Sequence, residues 1–542
     1  MSEFSRCRPK SIWSGINPKS EARRNSEIRG RTLGRRGARN AKRSFGVRIS
    51  GFGFLSAFGL RASDFSFFCT LALAGCAVGP DYRRPSTAAP EHWKAPPPWK
   101  EAQPRDAEIR QDFWELFDDS VLSALEKQAV ANSPDLRAAF ARVEQSRAVA
   151  RISRADLFPS ATFAPYADRT RYSPNRPLSP SATAVAFTAN DFVLPLDLSY
   201  EVDLWGQVRR SFRAARNTAQ ASAAAYQTVL LTLEADVAEN YFALRSIDFD
   251  RQVFKDAIQL RQKNLALVQS LHEGGADSAV DVARAETELA AAQAGLVGYD
   301  LRRAQLENAL GVLCGQSPST FSLAETNRPD PAPVIPAGLP ADLLERRPDV
   351  AEAERLMAAA SEQIGVARAA FYPAIRLTGF AGMESAELKN IFDWESRIWS
   401  FGPSISLPLF AGGRNRAGLE RARAAYDETI ARYRFQILTA FGEVENGLVG
   451  VRLLKDEYEA QNRAVEAARK AADLSRTRYK EGIVSYFEVV DADRTLLDNQ
   501  LLAYDLNGQR LVTSVLLIKA LGGGWQANAA SMSSGAATSL SE

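Results

Sequence analysis

Apolar and polar residues alternate strictly along two segments of this chain. From Leu194 to Leu204 every second side chain is apolar, and the positions between hold Pro, Asp, Ser or Glu. Phe401, Ile405, Leu407 and Leu409 share one face of a second such segment, and its other face holds Gly, Ser and Pro. A period of two predicts a β-strand in each segment, apolar on one side and polar on the other.

Partner strands are predicted upstream of each segment, beginning after Pro159 and Pro373. The chain is therefore expected to have four strands, within about 160–204 and about 374–410. Such alternation is typical of an outer-membrane strand, which faces lipid on one side and water on the other. A half-buried strand of a soluble sheet alternates in the same way, so the pattern alone leaves both interpretations open.

Two stretches, 196–317 and 409–542, contain no proline. Because proline breaks the interior of a helix, each stretch predicts long helices, at about 207–312 and about 413–520. A turn containing glycine interrupts each of them. The segment before each turn reaches roughly 100 Å at 1.5 Å per residue, so these helices have to pack side by side in a coiled-coil array.

Short motifs recur at matched places and indicate an internal structural repeat. Asn132-Ser-Pro-Asp135 is matched by Arg346-Arg-Pro-Asp349, and Leu157-Phe-Pro159 is matched by Phe371-Tyr-Pro373 at the same spacing. Each copy is predicted to have the order helix, strand, loop, strand, very long helix, turn, helix.

The predicted domain organisation follows from this repeat. It comprises a removed leader 1–75, an extended N-terminal tether 76–117, a first repeat 118–316, a Pro-rich linker 317–340, a second repeat 341–523 and a disordered tail 524–542. One opening helix is expected in each repeat, at about 119–156 and about 341–370.

The leader carries the basic character of the chain. Residues 1–75 hold 15 Lys and Arg against 4 Asp and Glu, whereas the remainder holds 52 against 60, so nucleic-acid binding is not expected. The apolar run Phe65–Gly75 before Cys76 predicts a secretory signal that ends in a lipobox, Leu73-Ala-Gly-Cys76. Cys76 is expected to become the lipid-modified N-terminus; a plain signal with an unmodified cysteine is the alternative.

Other chemistry is sparse in the sequence. After cleavage only Cys76 and Cys314 remain, so no disulfide is predicted. His92 and His272 lie far apart, and neither a metal site nor any cofactor beyond the lipid on Cys76 is expected. The sequence contains no Gly-rich phosphate loop and no nucleophile motif, which argues against an enzyme.

Four strands are too few to close a barrel, since the smallest membrane barrels have about eight. An open sheet edge in lipid leaves backbone groups without hydrogen-bond partners, so a membrane sheet of this size requires several chains. Three copies would supply twelve strands, continued by a ring of long helices.

The repeat, the run Cys76-Ala-Val-Gly-Pro-Asp-Tyr82 and the pairs Phe158-Pro159 and Tyr372-Pro373 resemble the TolC/OprM-type outer-membrane efflux factors, and among them the NodT-family lipoproteins. The resemblance implies an α+β membrane protein of the outer membrane. In this fold a homotrimer forms a twelve-stranded β-barrel, four strands per chain, continued by a long periplasmic α-helical barrel. It further implies a passive export duct for small molecules or ions, with a periplasmic adaptor and an inner-membrane pump of the RND type or a related one as partners.

The resemblance also implies a gate at the periplasmic end of the helices. Glu488 and Asp491 match its acidic positions and, three residues apart, share one helix face. An ordinary solvated helix face shows the same spacing. Asp281 and Tyr479 match residues that link neighbouring helices near the gate. Val484 stands where some members carry a gate arginine, so this chain lacks that salt bridge.

The turns between the long helices are the expected contact sites for the adaptor. Gly274, Gly275, Gly482 and Ser485 occupy them. Two other functions share much of the pattern. A conduit for type I protein secretion has the same architecture, and a structural coiled-coil lipoprotein has the long helices without a pore.

Overall fold

The computed structural model describes residues 77–84, 112–175, 185–326, 333, 335 and 347–523. These residues fall within the structural unit Cys69–Glu542. The leader, Cys76 with its expected lipid, the tail and half of the Pro-rich linker lie outside the described residues.

Helices and strands follow one another in the predicted order. The helices are α1 Ser120–Asn132, α2 Pro134–Ala155, α3 Gln207–Glu273, α4 Ala279–Leu313, α5 Pro348–Ala369, α6 Arg414–Lys480 and α7 Tyr486–Ala520. The strands are β1 Ser160–Phe163, β2 Tyr166–Tyr172, β3 Phe187–Val202, β4 Ala374–Ser385 and β5 Arg397–Ser406. None of the described helices is both long and apolar enough to cross a membrane.

The lengths of corresponding helices match. Helices α2 and α5 have 22 residues each, α3 and α6 have 67 each, and α4 and α7 have 35 each. These equal lengths support the internal repeat that the sequence motifs indicate.

The opening segment of the first repeat is not a single helix. The prediction of one helix over about 119–156 is wrong, because the chain divides at Ser133 into α1 and α2. Pro134 has no N–H to continue α1 and suits the first position of a new helix. The hydroxyl of Ser133 accepts a hydrogen bond from the backbone N–H of Leu136 at 3.4 Å and caps α2.

The strands form one antiparallel sheet in which β3 and β4 are central. Both β1 and β2 pair with β3 in one continuous register, since Phe163 lies opposite Leu196 and Tyr166 lies opposite Val193. They are therefore one strand interrupted beside Pro165, which has no N–H for the ladder. The sheet has four strand positions, as predicted, and in the described chain its outer edges are β1/β2 and β5.

The two faces of the sheet differ sharply in polarity. Leu198, Gly379 and Phe401 lie in one cross-strand row, and Leu196, Ala381 and Trp399 form the next. This apolar face is exposed, with 73% of Phe401 and 75% of Trp399 accessible. The opposite face holds polar side chains such as Asp197, Thr378 and Ser404. A single chain therefore leaves its apolar sheet face uncovered.

Residues 112–117 belong to the helical core, not to an extended tether. Phe113, Trp114 and Phe117 form a short 3-10 helix and are all buried. The ring of Phe117 packs 4.8 Å from that of Phe242 on α3. Three large aromatic side chains in five residues favour burial over a solvated tether, so the predicted boundary at 117 is corrected.

The segment 77–84 is also held against the body of the protein. Arg210 of α3, 1% exposed, donates to the carbonyl oxygens of Pro80 at 3.0 Å and Gly79 at 3.3 Å. It also forms an ion pair of 2.9 Å with Glu362 of α5. We refer to Arg210, Glu362 and residues 79–81 as the N-terminal clasp. The clasp fixes this part of the predicted tether between two helices.

Replacing Gly365 by alanine should open the N-terminal clasp. The added Cβ would lie 2.2 Å from Cδ of Arg210, so the arginine has to move away from its partners. We expect a loss of about 1–3 kcal/mol in the free energy of unfolding, as for other overpacked sites. Hydrogen exchange should also become faster at the amide of Val78, which bonds to the carbonyl of Trp205.

Gly418→Ala is the matched control, because an added Cβ at Gly418 meets no atom within 4 Å. Equal exchange at Val78 in Gly365→Ala and in the wild type would contradict the expected opening.

Candidate gate at the hairpin turns

Two tight turns reverse the chain between the long helices. The first joins α3 to α4 through Gly274 and Gly275, and the second joins α6 to α7 through Gly482. Gly275 has φ 75° and Gly482 has φ 73°, in the left-handed region that glycine adopts without strain. Both glycines and Gly274 are exposed, so the residues expected to contact an adaptor lie at an accessible end of the protein.

A small apolar cluster joins the two hairpins beside these turns. Its buried members are Val268, Ala285, Tyr479, Tyr486, Val489 and Val490. The rings of Tyr479 and Tyr486 lie 5.5 Å apart. Val484 packs against this cluster and contributes apolar contact to it.

The hydroxyl of Tyr479 donates a hydrogen bond to the carboxylate of Asp277 in the opposite turn. Burial, together with Asp277, raises the pKa of Tyr479 well above its usual range, so the phenol remains a donor. This bond connects the end of α6 with the turn before α4. Tyr479 is therefore a link between the hairpins.

The partner in this link is not the predicted Asp281. The carboxylate of Asp281 accepts from Ser278 at 2.7 Å and pairs with Arg284 at 3.1 Å, both within its own hairpin. Asp281 lies in the first helical turn of α4, where its charge suits the helix N-terminus, whereas Asp277 lies in the turn itself and reaches α6. The prediction for Asp281 is corrected accordingly.

Removing the Tyr479 hydroxyl should loosen the turns without unfolding the protein. We expect Tyr479→Phe to lower the free energy of unfolding by about 1.5–3 kcal/mol, the usual effect of losing a hydrogen bond to a charged group. Asp277→Asn should have a similar effect, and the double variant should lose little more than either single one. Thermal denaturation of the three variants measures this coupling.

Asp281→Asn serves as the control, since it leaves the Tyr479–Asp277 bond in place. A double variant whose loss equals the sum of the two single losses would show that the residues do not act together.

Glu488 and Asp491 lie on one exposed side of α7. Between them Val489 and Val490 turn inward to the apolar cluster, so the two carboxylates project away from it. No side-chain hydrogen bond joins either carboxylate to another residue in the described part of the chain, although Asp491 lies near the guanidinium of Arg494. Two such carboxylates on one helix face can attract cations.

Sequence reasoning missed three groups in this region. Asp277 lies in the turn, two residues after Gly275, and an acidic residue so close to a chain reversal is the signal that could have identified it. Asp493 and Arg494 of α7 make ion pairs to other helices. No cluster of three or more potential metal ligands occurs among the residues that the structure describes.

The chain matches a known family along most of its length. A sequence model of the outer membrane efflux protein family matches residues 125–316 and 339–523. The toluene efflux pump outer membrane protein TtgF of Pseudomonas putida is 35% identical over 472 residues, 85% of this chain and 96% of TtgF. Outer membrane protein OprJ of Pseudomonas aeruginosa is 34% identical over 477 residues, 86% of this chain and 96% of OprJ.

Solved outer-membrane channels share the fold. The OprN channel has a TM-score of 0.78 at 31% identity, covering 83% of this chain and 100% of that chain. The MtrE channel of Neisseria gonorrhoeae, in its open state, has a TM-score of 0.70 at 27% identity, covering 83% and 99%. The chain belongs to the outer membrane efflux protein family. It is an outer-membrane channel component that works with an efflux pump, and the prediction that it is not an enzyme is confirmed.

Proposed function

We propose that the protein is the passive exit duct of a tripartite efflux pump and assembles as a trimer with a twelve-stranded barrel. The observation that carries this proposal is a four-position sheet with an exposed apolar face and two outer edges, β1/β2 and β5. Lipid excludes unpaired strand edges, and joining β5 of one copy to β1/β2 of the next removes them all. Family membership favours this arrangement over a coiled-coil lipoprotein without a pore.

Exposed apolar side chains on the helices support the same assembly. Val297 and Leu301 of α4 are 66% and 61% exposed and lie on one helix face. Phe435 and Leu438 of α6 are 70% and 69% exposed and also share a face. Uncovered apolar stripes of this kind mark interfaces between proteins, and neighbouring copies in a helical barrel would cover them.

The duct takes its driving force from its partners. We assign it an inner-membrane pump of the RND type or a related one, joined through a periplasmic adaptor that contacts the turn residues Gly274, Gly275, Gly482 and Ser485. Relatives are named as outer-membrane proteins of toluene and antibiotic efflux pumps, so small organic compounds are the proposed cargo. These names favour small-molecule efflux over protein secretion.

A lipid on Cys76 would meet the membrane beside the barrel. A Cβ built on Gly206, where β3 passes into α3, would lie 3.2 Å from Cα of Ala77. The residue that follows the expected lipid-bearing cysteine therefore sits at the end of the strands. Mass spectrometry of the purified protein should give a peptide that begins with acylated Cys76.

Cysteine labelling on intact cells tests the membrane orientation. Glu387→Cys lies in the loop between β4 and β5 and should react with an impermeant maleimide from outside the cell. Glu481→Cys lies in the turn before α7 and should react only after permeabilisation. Native Cys314 is fully buried and does not compete for the reagent.

The assembly is tested by the mass of the detergent-solubilised protein. Multi-angle light scattering should give three chains per particle, and planar bilayers should show a channel. A monomeric particle, or protection of Glu387→Cys on intact cells, would overturn the proposal.

A further inference from the structure

A cavity of about 420 Å³ lies between α1, α3, the short 3-10 helix before α1 and the end of the described chain after α7. We refer to it as the α1–α3 cavity, after the two helices that supply most of its wall. Its volume falls within the range of roughly 300–1,000 Å³ that small-molecule sites in proteins have. Every residue of the described wall belongs to one chain, so a ligand site here does not require a second copy.

Helix α3 forms the longest side of the α1–α3 cavity. Tyr226, Leu230 and Glu234 line it at intervals of four residues and therefore lie on one helix face. Eight residues of a helix span about 12 Å, with the phenol ring at one end of this side and the carboxyl group at the other. Leu231 and Val130 add apolar surface between them. The cavity is therefore apolar along most of its length and acidic at one end.

The acidic end holds a buried carboxyl group. Glu234 is 6% exposed, and no side-chain hydrogen bond joins it to another residue in the described part of the chain. Asp112 and the buried ring of Trp114 belong to the same wall. The only basic side chain among the described wall residues is Lys127, which is exposed, so water screens its charge. A buried carboxyl group beside a second acid and an aromatic ring favours a positively charged ligand.

The proton on Glu234 would respond to such a ligand. Burial, with Asp112 nearby, raises the pKa of Glu234 to about 8, so the group is mainly protonated at pH 7. A cation beside it favours the ionised form, so binding below pH 8 should release a proton. Glu126 of α1, whose pKa is raised to about 10, and Tyr226, whose pKa is raised by burial, both remain protonated in this range.

We propose that the α1–α3 cavity binds an amphiphilic organic cation, with its charged nitrogen beside Glu234 and Asp112 and its apolar body extending toward Tyr226. A quaternary ammonium group suits this end, because it is attracted to carboxylates and aromatic rings and donates no hydrogen bond that would need a partner. A bare metal ion suits it less, since the described residues contain no cluster of three or more potential metal ligands. The site goes beyond the proposed duct and does not depend on it.

Isothermal titration calorimetry with benzyltrimethylammonium, a permanent cation, tests the site on the detergent-solubilised protein. We expect one cation to bind per chain. Glu234→Gln keeps the shape of the side chain and removes its charge, so it should weaken the affinity about tenfold. Tyr226→Leu removes the ring at the apolar end and should weaken the affinity about threefold.

The pH dependence provides a second measurement. The affinity of the wild type should rise roughly tenfold from pH 6.5 to pH 8, because a larger fraction of Glu234 is then ionised before the cation binds. The affinity of Glu234→Gln should change little over the same range. A wild-type affinity that is independent of pH would contradict the contact between the cation and Glu234.

Glu239→Gln is the matched control, because Glu239 carries the same charge on the same helix and lies outside the cavity wall. It should bind the cation like the wild type. Benzyl alcohol and benzenesulfonate, which are neutral and anionic compounds with the same ring, should not displace the cation. Equal affinities in Glu234→Gln and Glu239→Gln, displacement by benzyl alcohol, or no saturable binding to the wild type would overturn the proposal.

Discussion

Replacing both Glu488 and Asp491 by alanine is expected to raise the single-channel conductance and to weaken the block of the channel by divalent cations. In the proposed trimer, the exposed side of α7 would bring the two carboxylates of each chain into a ring at the turn end of the helices. A dense ring of negative charge concentrates cations and lets divalent ions bridge it. Its removal should lower the preference for cations over anions by about tenfold, because charged clefts change local ion concentrations by at least that factor.

Asp498→Ala is a suitable control for this experiment. Asp498 is a carboxylate further along the same helix. Its loss should leave the conductance and the divalent block close to those of the wild type. A double variant with the conductance and selectivity of the wild type would show that Glu488 and Asp491 are only a solvated helix face.

Replacing Glu126 by leucine should stabilise the protein at neutral pH. Glu126 of α1 is fully buried, and neither of its carboxylate oxygens has a hydrogen-bond partner in the described structure. Burial, with Glu234 of α3 nearby, raises the pKa of Glu126 to about 10. Holding this carboxyl neutral at pH 7 costs about 3 kcal/mol relative to an ordinary glutamate, and an apolar side chain of similar size removes that cost.

The same buried acids make the stability depend on pH. Burial, with Asp112 nearby, raises the pKa of Glu234 to about 8 from the ordinary value of 4.5. Both carboxyl groups have folded-state pKa values above the unfolded value of 4.5. Below pH 4.5 they are protonated in the folded and in the unfolded chain, so their burial costs no free energy of ionisation. The free energy of unfolding should fall as pH rises from about 4.5 to about 8, and further toward 10 for Glu126.

Thermal denaturation in detergent at pH 5 and pH 8 measures this effect. The wild type should melt at a lower temperature at pH 8, and Glu126→Leu should show a smaller difference between the two pH values. Glu286→Leu, at an exposed position of α4, is the control and should retain the wild-type difference. A Glu126→Leu variant as sensitive to pH as the wild type would contradict the assignment.

The elements with strong local signals were predictable from the sequence. The long helix expected to begin at about 207 and to reach the Gly274 turn is observed as Gln207–Glu273. The strand expected across 194–204 is observed as Phe187–Val202, with the apolar residues in register across three strands. The dipeptide Ser133-Pro134 also indicates the break between α1 and α2. The helical pattern of apolar residues continues on both sides of it, so the boundary was not predicted.

The candidate site was predicted only in outline. Tyr479, Glu488 and Asp491 lie near the turns where the family resemblance placed them, yet Tyr479 binds Asp277 instead of Asp281. Asp277 and Asp281 are four positions apart, and the sequence pattern does not distinguish which of them bonds to Tyr479. The direction in which each points depends on where α4 begins, and spacing alone does not establish that.

The sequence by itself determined the strands, the long helices, their repetition and the membership of an efflux family. The strands and the helices depend on periodicity and on proline and glycine, whose effects act over a few residues. The family was indicated by the resemblance of short motifs to those of known members. Only the tertiary structure decided that Arg210 clasps the N-terminal segment, that Glu126 lies buried without a hydrogen-bond partner among the described residues and that Arg494 joins α7 to Glu288. Each of these depends on packing between residues far apart in the chain, and a charged side chain carries no local signal of the partner or the burial that folding will give it.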